Sequence, residues 1–276
     1  MSQQFNVAIL GATGLVGRQI IETLADRKFP VEELFLLASE NSAGEEIKFK
    51  GQEIEVQDVA NFDFSKAHIA IFSAGSEAAQ QYAHIAADAG CIVIDNSSQF
   101  RSAYDVPLVV PEVNPDTLVD YRNHNIIANP NCATIQLMLV LKPIYDAYGI
   151  DRVNVCTYQS VSGAGKKALD ELAKQTANLM NARPLDNNVF DKQIAFNVLP
   201  KIDDFADNGY TLEEMKIVEE TQKILGDSSV MVNPTAVRVP VFYGHAEAVH
   251  LETRSPVDIE HIKQLLNDAP GVQLIE

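Results

Sequence analysis

Cations are scarce in this chain. Lys and Arg together number 21 against 38 Asp and Glu, for a net charge of −17. No basic block offsets the excess, which argues against a general nucleic-acid or anionic-membrane binder. An anionic ligand would need cations gathered locally against an unfavourable field. Cysteine is scarce too. Cys91, Cys132 and Cys156 are the only ones, and no two form a CxxC pair. That pattern predicts neither a disulfide framework nor a zinc site, no bound metal, and a reducing compartment. The opening stretch MSQQFNVAILGATG has no charged leader and no long apolar segment before its first strand, so a cytoplasmic location is expected. What is present, 46% hydrophobic and 21% charged residues over 276 positions, is the composition of a well-cored globular protein, long enough for two ordinary domains or one large α/β domain.

The first half alternates short apolar runs with helical stretches. Strands are predicted at Phe5–Leu10, Leu34–Ala38, Glu53–Val56, His68–Ser73, Cys91–Asp95, Val106–Val110 and Asn125–Ile127, with helices at Leu15–Asp26 and Ala78–Ala89. Continuous Val/Ile/Leu runs separated by helices predict a doubly wound Rossmann-type α/β domain whose parallel sheet is covered on both faces. After Cys132 the texture changes. Helices are predicted at Thr134–Asp146, Lys166–Met180 and Leu212–Leu225, and strands at Val153–Ser160, Val237–Phe242 and Glu247–Thr253. Strands this close in sequence suit an antiparallel or mixed sheet, hence an α+β second domain. The boundary is expected at residue 131, giving domains 1–131 and 132–276.

GATGLVG, Gly11 to Gly17, follows the first strand and opens the first helix. A turn that tight needs glycine, a pyrophosphate approaches only where no Cβ intrudes, and the helix start supplies amides and a favourable dipole. The spacing is GxxGxxG and not the commoner GxGxxG, so the order of strand, glycines, helix and second strand carries the reading. The competing one is a tight turn without a ligand.

NPNCATIQ, residues 129–136, sets Cys132 at an expected helix start, where the dipole favours a thiolate. The alternative is a small apolar residue on the helix's buried face. A nucleophilic cysteine beside a nicotinamide suits acyl chemistry through a thioester, which needs a base, oxyanion donors and, for a phosphorylated substrate, cations. His245, after Gly244 at the end of an expected strand, is the base candidate, against the commoner structural role of a lone histidine. Arg238 either snorkels to the surface or clamps a carboxylate. Arg101, closing the loop DNSSQFR, either grips phosphate or is exposed. Gln159 ends a strand before the small-residue turn SVSGAG, and LEEMK places Glu213 and Lys216 at i and i+3 on one helical face, where a plain surface ion pair is the default.

The ordered set GATGLVG, FSAG, DNSSQFR, NPNCATIQ, YQSVSGAG, EEMK and VRVPVFYGHAE resembles the aspartate-β-semialdehyde dehydrogenase family from residue 5 to the end. The resemblance implies that Cys132 is the acyl-thioester nucleophile and His245 the general acid/base, with Gln159 orienting the acyl group. It implies further that Arg238 binds the substrate α-carboxylate and Glu213 the α-amino group, while Arg101, Asn131 and Lys216 hold phosphate. Gly11, Thr13, Gly14, Leu15, Val16, Gly17, Ser39, Asn41, Ser42, Ser73, Ser162 and Gly163 would hold NADP. The implied reaction is NADP-dependent conversion of L-aspartyl-4-phosphate to L-aspartate-4-semialdehyde in lysine, threonine and methionine biosynthesis, by a homodimer formed through the second domain. A non-catalytic or truncated paralogue serving as a binding module is the alternative.

Three features depart from the family pattern. Ala133 stands where Ser or Thr usually follows the cysteine. Asn41 replaces an arginine near the end of the second strand. Family members also continue several dozen residues past GVQLIE, into a helix that returns to the nucleotide domain.

Overall fold

Buried apolar runs define the first half of the chain. In the computed structural model, which describes residues 3–275, the chain divides into two compact units. One runs to Val109 and takes in Asn114–Pro130; the other comprises Val110–Val113 and the chain from Asn131 onward. The division therefore assigns Asn131 to the second unit.

The first unit contains strands β1 (Phe5–Leu10), β2 (Val31–Ala38), β3 (Glu46–Phe49), β4 (Gln52–Asp58), β5 (Ile69–Phe72), β6 (Ile92–Asp95) and β7 (Ile126–Ala128), with helices α1 (Leu15–Asp26) and α2 (Ser76–Asp88). Their sheet order is β3-β4-β2-β1-β5-β6-β7. All neighbours pair in parallel except β3 and β4, which form an antiparallel hairpin. Val7, Ile9, Leu36 and Val56 pack into one buried cluster with Ile21 of α1, so the α1 stripe and the sheet bury each other's apolar surface. The connections diverge from β1, toward β2 on one side and β5 on the other. That is the switch point at which doubly wound sheets bind nucleotides.

The glycine turn lies at this point. Gly11 has φ +87°, and a Cβ there would lie 2.8 Å from the Ser73 backbone. A Cβ on Gly17 would lie 2.1 Å from the Gly11 carbonyl oxygen. Both positions therefore require glycine for packing, and at Gly11 the left-handed backbone requires it as well.

The second unit contains helices α3 (Cys132–Tyr148), α4 (Lys166–Met180), α5 (Leu212–Leu225) and α6 (Ile259–Asp268), with strands β8 (Ile150–Gln159), β9 (Met231–Arg238) and β10 (His245–Thr253). Its sheet order is β10-β8-β9, with β8 antiparallel to β10 and parallel to β9. This is the expected mixed sheet.

Several sequence expectations are corrected. Val106–Val110 is not a strand; it makes a single bridge, Leu108 to Ala128. Pro107 offers no amide to a ladder, and the run is apolar because it is buried. The strand expected at Val237–Phe242 ends at Arg238 and begins earlier, at Met231. Pro240 interrupts donation beyond that point, leaving Val241 and Phe242 exposed. Edge position lets β9 tolerate Pro234. Strand β3 and helix α6 were not anticipated. A two-residue turn, Lys50 and Gly51 at φ 46° and 86°, closes the β3–β4 hairpin.

Candidate active site

Three of the expected site residues occupy one cross-strand row. His245 pairs with Gln159, and Gln159 pairs with Arg238. The row crosses the whole β10-β8-β9 sheet at the C-terminal ends of β8 and β9 and the start of β10. Strand alternation puts all three side chains on one face. Gln159 and Arg238 are buried, and His245 is half-buried. His245 was expected in a loop; it is the first residue of β10, aimed by Gly244 at φ +84°.

Two helix starts meet this row. Asn131 caps α3, its Oδ1 accepting the Ala133 amide at 2.9 Å, so Cys132 is the first helical residue. Ala133, where the family pattern has Ser or Thr, is buried and contributes its backbone N–H to this cap. A capping box of Thr211 and Glu214 starts α5 and places Glu213 and Lys216 in its first turns. The default surface reading of that pair is corrected, because Glu213 is buried. Its Oε1 accepts from Asn131 Nδ2 and from Gln159 Nε2, each at 3.0 Å, and its Oε2 from Lys216 Nζ at 3.2 Å. Burial by itself would raise the Glu213 pKa, but these donors and the Lys216 charge outweigh it and hold the carboxyl below its ordinary value. Gln159 is thereby oriented: its Oε1 accepts from Thr157 Oγ1 and its amide nitrogen faces Glu213.

Cys132 is exposed, with its Sγ 3.2 Å from His245 Nε2. The Ser160 amide donates to His245 Nδ1 at 3.0 Å, so the neutral ring carries its proton on Nε2, facing the sulfur. Helix dipole and Nε2–H both favour a thiolate. Ser160 Oγ, 3.4 Å from Nδ1, can accept when that nitrogen is protonated. Burial, with the Arg238 charge, lowers the His245 pKa below the ordinary imidazole value, against opposing influences from the Gly244 backbone and the Glu213 charge. The Arg238 guanidinium donates to the Ser160 carbonyl oxygen at 2.8 Å. Burial works against its charge, while Glu213, Cys132 and Asp203 favour it. Gly163 leaves room for Arg238, since a Cβ there would lie 3.1 Å from Nη1. The arrangement offers a nucleophile, a proton-handling imidazole, an amide donor and two cations within one unit.

Comparison with known proteins agrees with this chemistry. Family models described as semialdehyde dehydrogenase, NAD binding domain, and semialdehyde dehydrogenase, dimerisation domain, match residues 6–121 and 141–276. The chain is 63% identical over 274 residues to aspartate-semialdehyde dehydrogenase 2 of Vibrio cholerae, covering 99% of this chain and 81% of that relative. The chain belongs to the aspartate-semialdehyde dehydrogenase family. Among solved structures, aspartate semialdehyde dehydrogenase II from Vibrio cholerae complexed with ASA matches with a TM-score of 0.98 at 62% identity, covering 99% of this chain and 82% of that one. The Candida albicans aspartate semialdehyde dehydrogenase with NADP matches with a TM-score of 0.73 at 27% identity, covering 96% and 76%.

Other residues singled out in the sequence lie in the first unit. Arg101 donates to the carbonyl oxygens of Asn129 and Asn96, each at 2.9 Å, tying the DNSSQFR loop to the residue that follows β7. Gly11, Thr13, Gly14, Leu15, Val16 and Gly17 form the turn into α1, whose cap Gly14 contributes no side-chain bond. The turn Glu40–Ser42, preceded by Ser39, carries Asn41 and Ser42 beyond β2. Ser73 donates from Oγ to the Leu10 carbonyl at 3.1 Å. In the second unit, Ser162 and Gly163 lie in the turn Val161–Ala164. A turn that a Cβ would block, opening a helix without a side-chain cap, fits a dinucleotide's pyrophosphate.

Sequence reasoning missed four contributors: Ser160, Asp203, Glu220 and the pair Gln136–Glu247. Glu220 Oε2 accepts the Asn131 amide at 2.6 Å, bracing the α3 start from α5. Spacing gave a signal only for Gln136, one turn beyond Cys132, and Glu247, two residues beyond His245. Gln136 Nε2 donates to Glu247 Oε1 at 2.8 Å, a second link across the seam between α3 and β10.

Burial lifts the Glu247 carboxyl to about 7, against the opposing bond from Gln136. The folded state thus keeps a proton that the unfolded chain releases. Its stabilising effect is complete below the ordinary carboxylate value and is lost as pH rises through about 7. Glu247→Gln keeps the neutral form at every pH. Its stability relative to wild type should therefore rise by about 2–3 kcal/mol between roughly pH 5 and pH 8. Urea unfolding at both values measures this, and a pH-independent difference would contradict it.

Proposed function

We propose that the protein is a phosphorylating aldehyde dehydrogenase that interconverts L-aspartyl-4-phosphate and L-aspartate-4-semialdehyde with NADP, through a thioacyl intermediate on Cys132. The observation that carries this reading is the 3.2 Å approach of Cys132 Sγ to His245 Nε2, next to the His245–Gln159–Arg238 row. The names of the relatives supply the substrate class.

In the biosynthetic direction the Cys132 thiolate attacks the acyl phosphate carbon, and phosphate leaves as the thioester forms. A nicotinamide, when bound, would supply the hydride needed to reduce a thioester to an aldehyde. His245 holds the thiolate by its Nε2–H and handles the proton of the tetrahedral oxygen, with Ser160 serving whichever state Nδ1 adopts. Gln159 directs its amide at the acyl group. The Arg238 fork takes the α-carboxylate, and Glu213 takes the α-ammonium by exchanging one of its present donors. Lys216 and Asn131 hold the phosphate, and Arg101 is the first unit's candidate for binding an anion. In the first unit the glycine turn with Ser39, Asn41, Ser42 and Ser73 would hold the cofactor; in the second unit Ser162 and Gly163 are the candidates for it. A binding module without turnover has no use for a thiol and an imidazole in contact.

The active form is a homodimer, formed through the second unit. The sheet face opposite the site exposes Cys156, Tyr158, Thr235, Ala246 and Ala248, an uncharged stretch suited to a second copy. The working compartment is the cytoplasm, in keeping with three free cysteines. Among the described residues no helix is long and apolar enough to cross a membrane.

Cys132→Ser should lower turnover by orders of magnitude, because a hydroxyl is far less ionised and less nucleophilic. Cys156→Ser should retain most of it. Steady-state assay of aspartate semialdehyde oxidation with phosphate measures both, and a dead Cys156→Ser with an active Cys132→Ser would overturn the assignment.

Asn41 supplies no charge for a 2′-phosphate. A charge-assisted contact is worth about 1.5–3 kcal/mol, so discrimination for NADP over NAD should be weaker by roughly 10- to 150-fold than with arginine there. Asn41→Arg should raise the NADP-to-NAD ratio of kcat/KM at least several-fold. An unchanged ratio would remove position 41 from the cofactor site.

A further inference from the structure

Lys216 already has two carboxylates in the structure. Glu213 Oε2 lies 3.2 Å from its ammonium and Asp203 Oδ2 lies 2.9 Å away. Burial disfavours the ammonium's charge, but the hydrogen bonds and charges of Asp203 and Glu213 outweigh it and raise the Lys216 pKa. Asp203 is also among the charges that favour the Arg238 guanidinium. One loop carboxylate thus bears on both cations of the site.

The two carboxylates are held differently. Glu213 is buried on α5 and also accepts from Asn131 and Gln159. Asp203 has a half-exposed side chain whose Oδ1 accepts only weakly, from the Asp204 amide at 3.3 Å. Its backbone sits at φ 71°, uncommon outside glycine. Neighbouring anchors impose that conformation. Leu199 and Arg238 exchange both backbone hydrogen bonds on one side, and the Leu212 amide donates to the Asp204 carbonyl on the other. The loop therefore delivers the Asp203 carboxylate to Lys216 in a contact that a competing anion can break more readily than the Glu213 contact.

We propose that Asp203 is a built-in competitor for the anion site: its carboxylate occupies Lys216 in the free protein, and the phosphoryl group of the substrate must displace it. Asp203 then sets the affinity for phosphate while making no contact that the chemistry needs. Lys216 is half-buried, and an ammonium partly withdrawn from water is costly to hold without a countercharge, which Asp203 helps to provide. The inference rests on the reading of Lys216 as a phosphate holder.

The test is the phosphate dependence of aspartate semialdehyde oxidation by wild type, Asp203→Asn, Asp203→Gly and Lys216→Gln. Asn and Gly both accept a left-handed backbone, so these variants remove charge without reshaping the loop. Both Asp203 variants should lower the phosphate KM by about two- to fivefold, with the gap narrowing as potassium chloride is raised. Lys216→Gln should raise the phosphate KM. If Lys216→Gln raises it but the Asp203 variants leave it unchanged or higher, the proposal is overturned while the role of Lys216 stands. An unaltered phosphate KM in Lys216→Gln would remove Lys216 from the phosphate site and the proposal with it.

Discussion

The site depends on one buried carboxylate. Glu213 reaches the N-cap of α3 through Asn131, the end of β8 through Gln159, and its own helix through Lys216. A carboxylate taken from water costs several kcal/mol unless its oxygens are satisfied, so these donors are needed to hold it charged. The same bonds fix where the cysteine helix begins and which way the glutamine amide points. A side chain expected to bind one group of the substrate therefore also organises the residues around the other.

Sheet register supplies the second constraint. Because His245, Gln159 and Arg238 share a row, their spacing is set by strand pairing and not by loop conformation. The helices then bring Cys132 and Lys216 to that row with their positive ends leading. In this way an acidic chain brings two cations, Lys216 and Arg238, to one site. Its cations lie at helix starts and strand ends, where burial, neighbouring carboxylates and dipoles control their charge.

The sequence made much of this legible. Continuous apolar runs separated by helical stretches pointed to the parallel sheet, and the order of strand, glycines and helix pointed to the turn, because both follow from local rules. Cys132, His245, Gln159, Glu213 and Arg238 were readable as candidates, and the structure gathers them in the second unit. The misreadings have physical causes. Val106–Val110 is apolar through burial without a ladder, and Val237–Phe242 is apolar yet mostly beyond the last paired residue. Residues such as Asp203, Ser160 and Glu220 carried no local signal, because their meaning arises only from contacts with distant segments.

The account stands or falls on Cys132 as the atom that carries the acyl group. The direct measurement is peptide mapping by mass spectrometry after the protein is mixed with aspartate semialdehyde and NADP in the absence of phosphate. Without an acceptor the thioester should accumulate, so an acyl adduct is predicted on the peptide containing Cys132, discharged when phosphate is added. An adduct confined to Cys156 or Cys91, or none at all while NADPH is formed, would contradict the account.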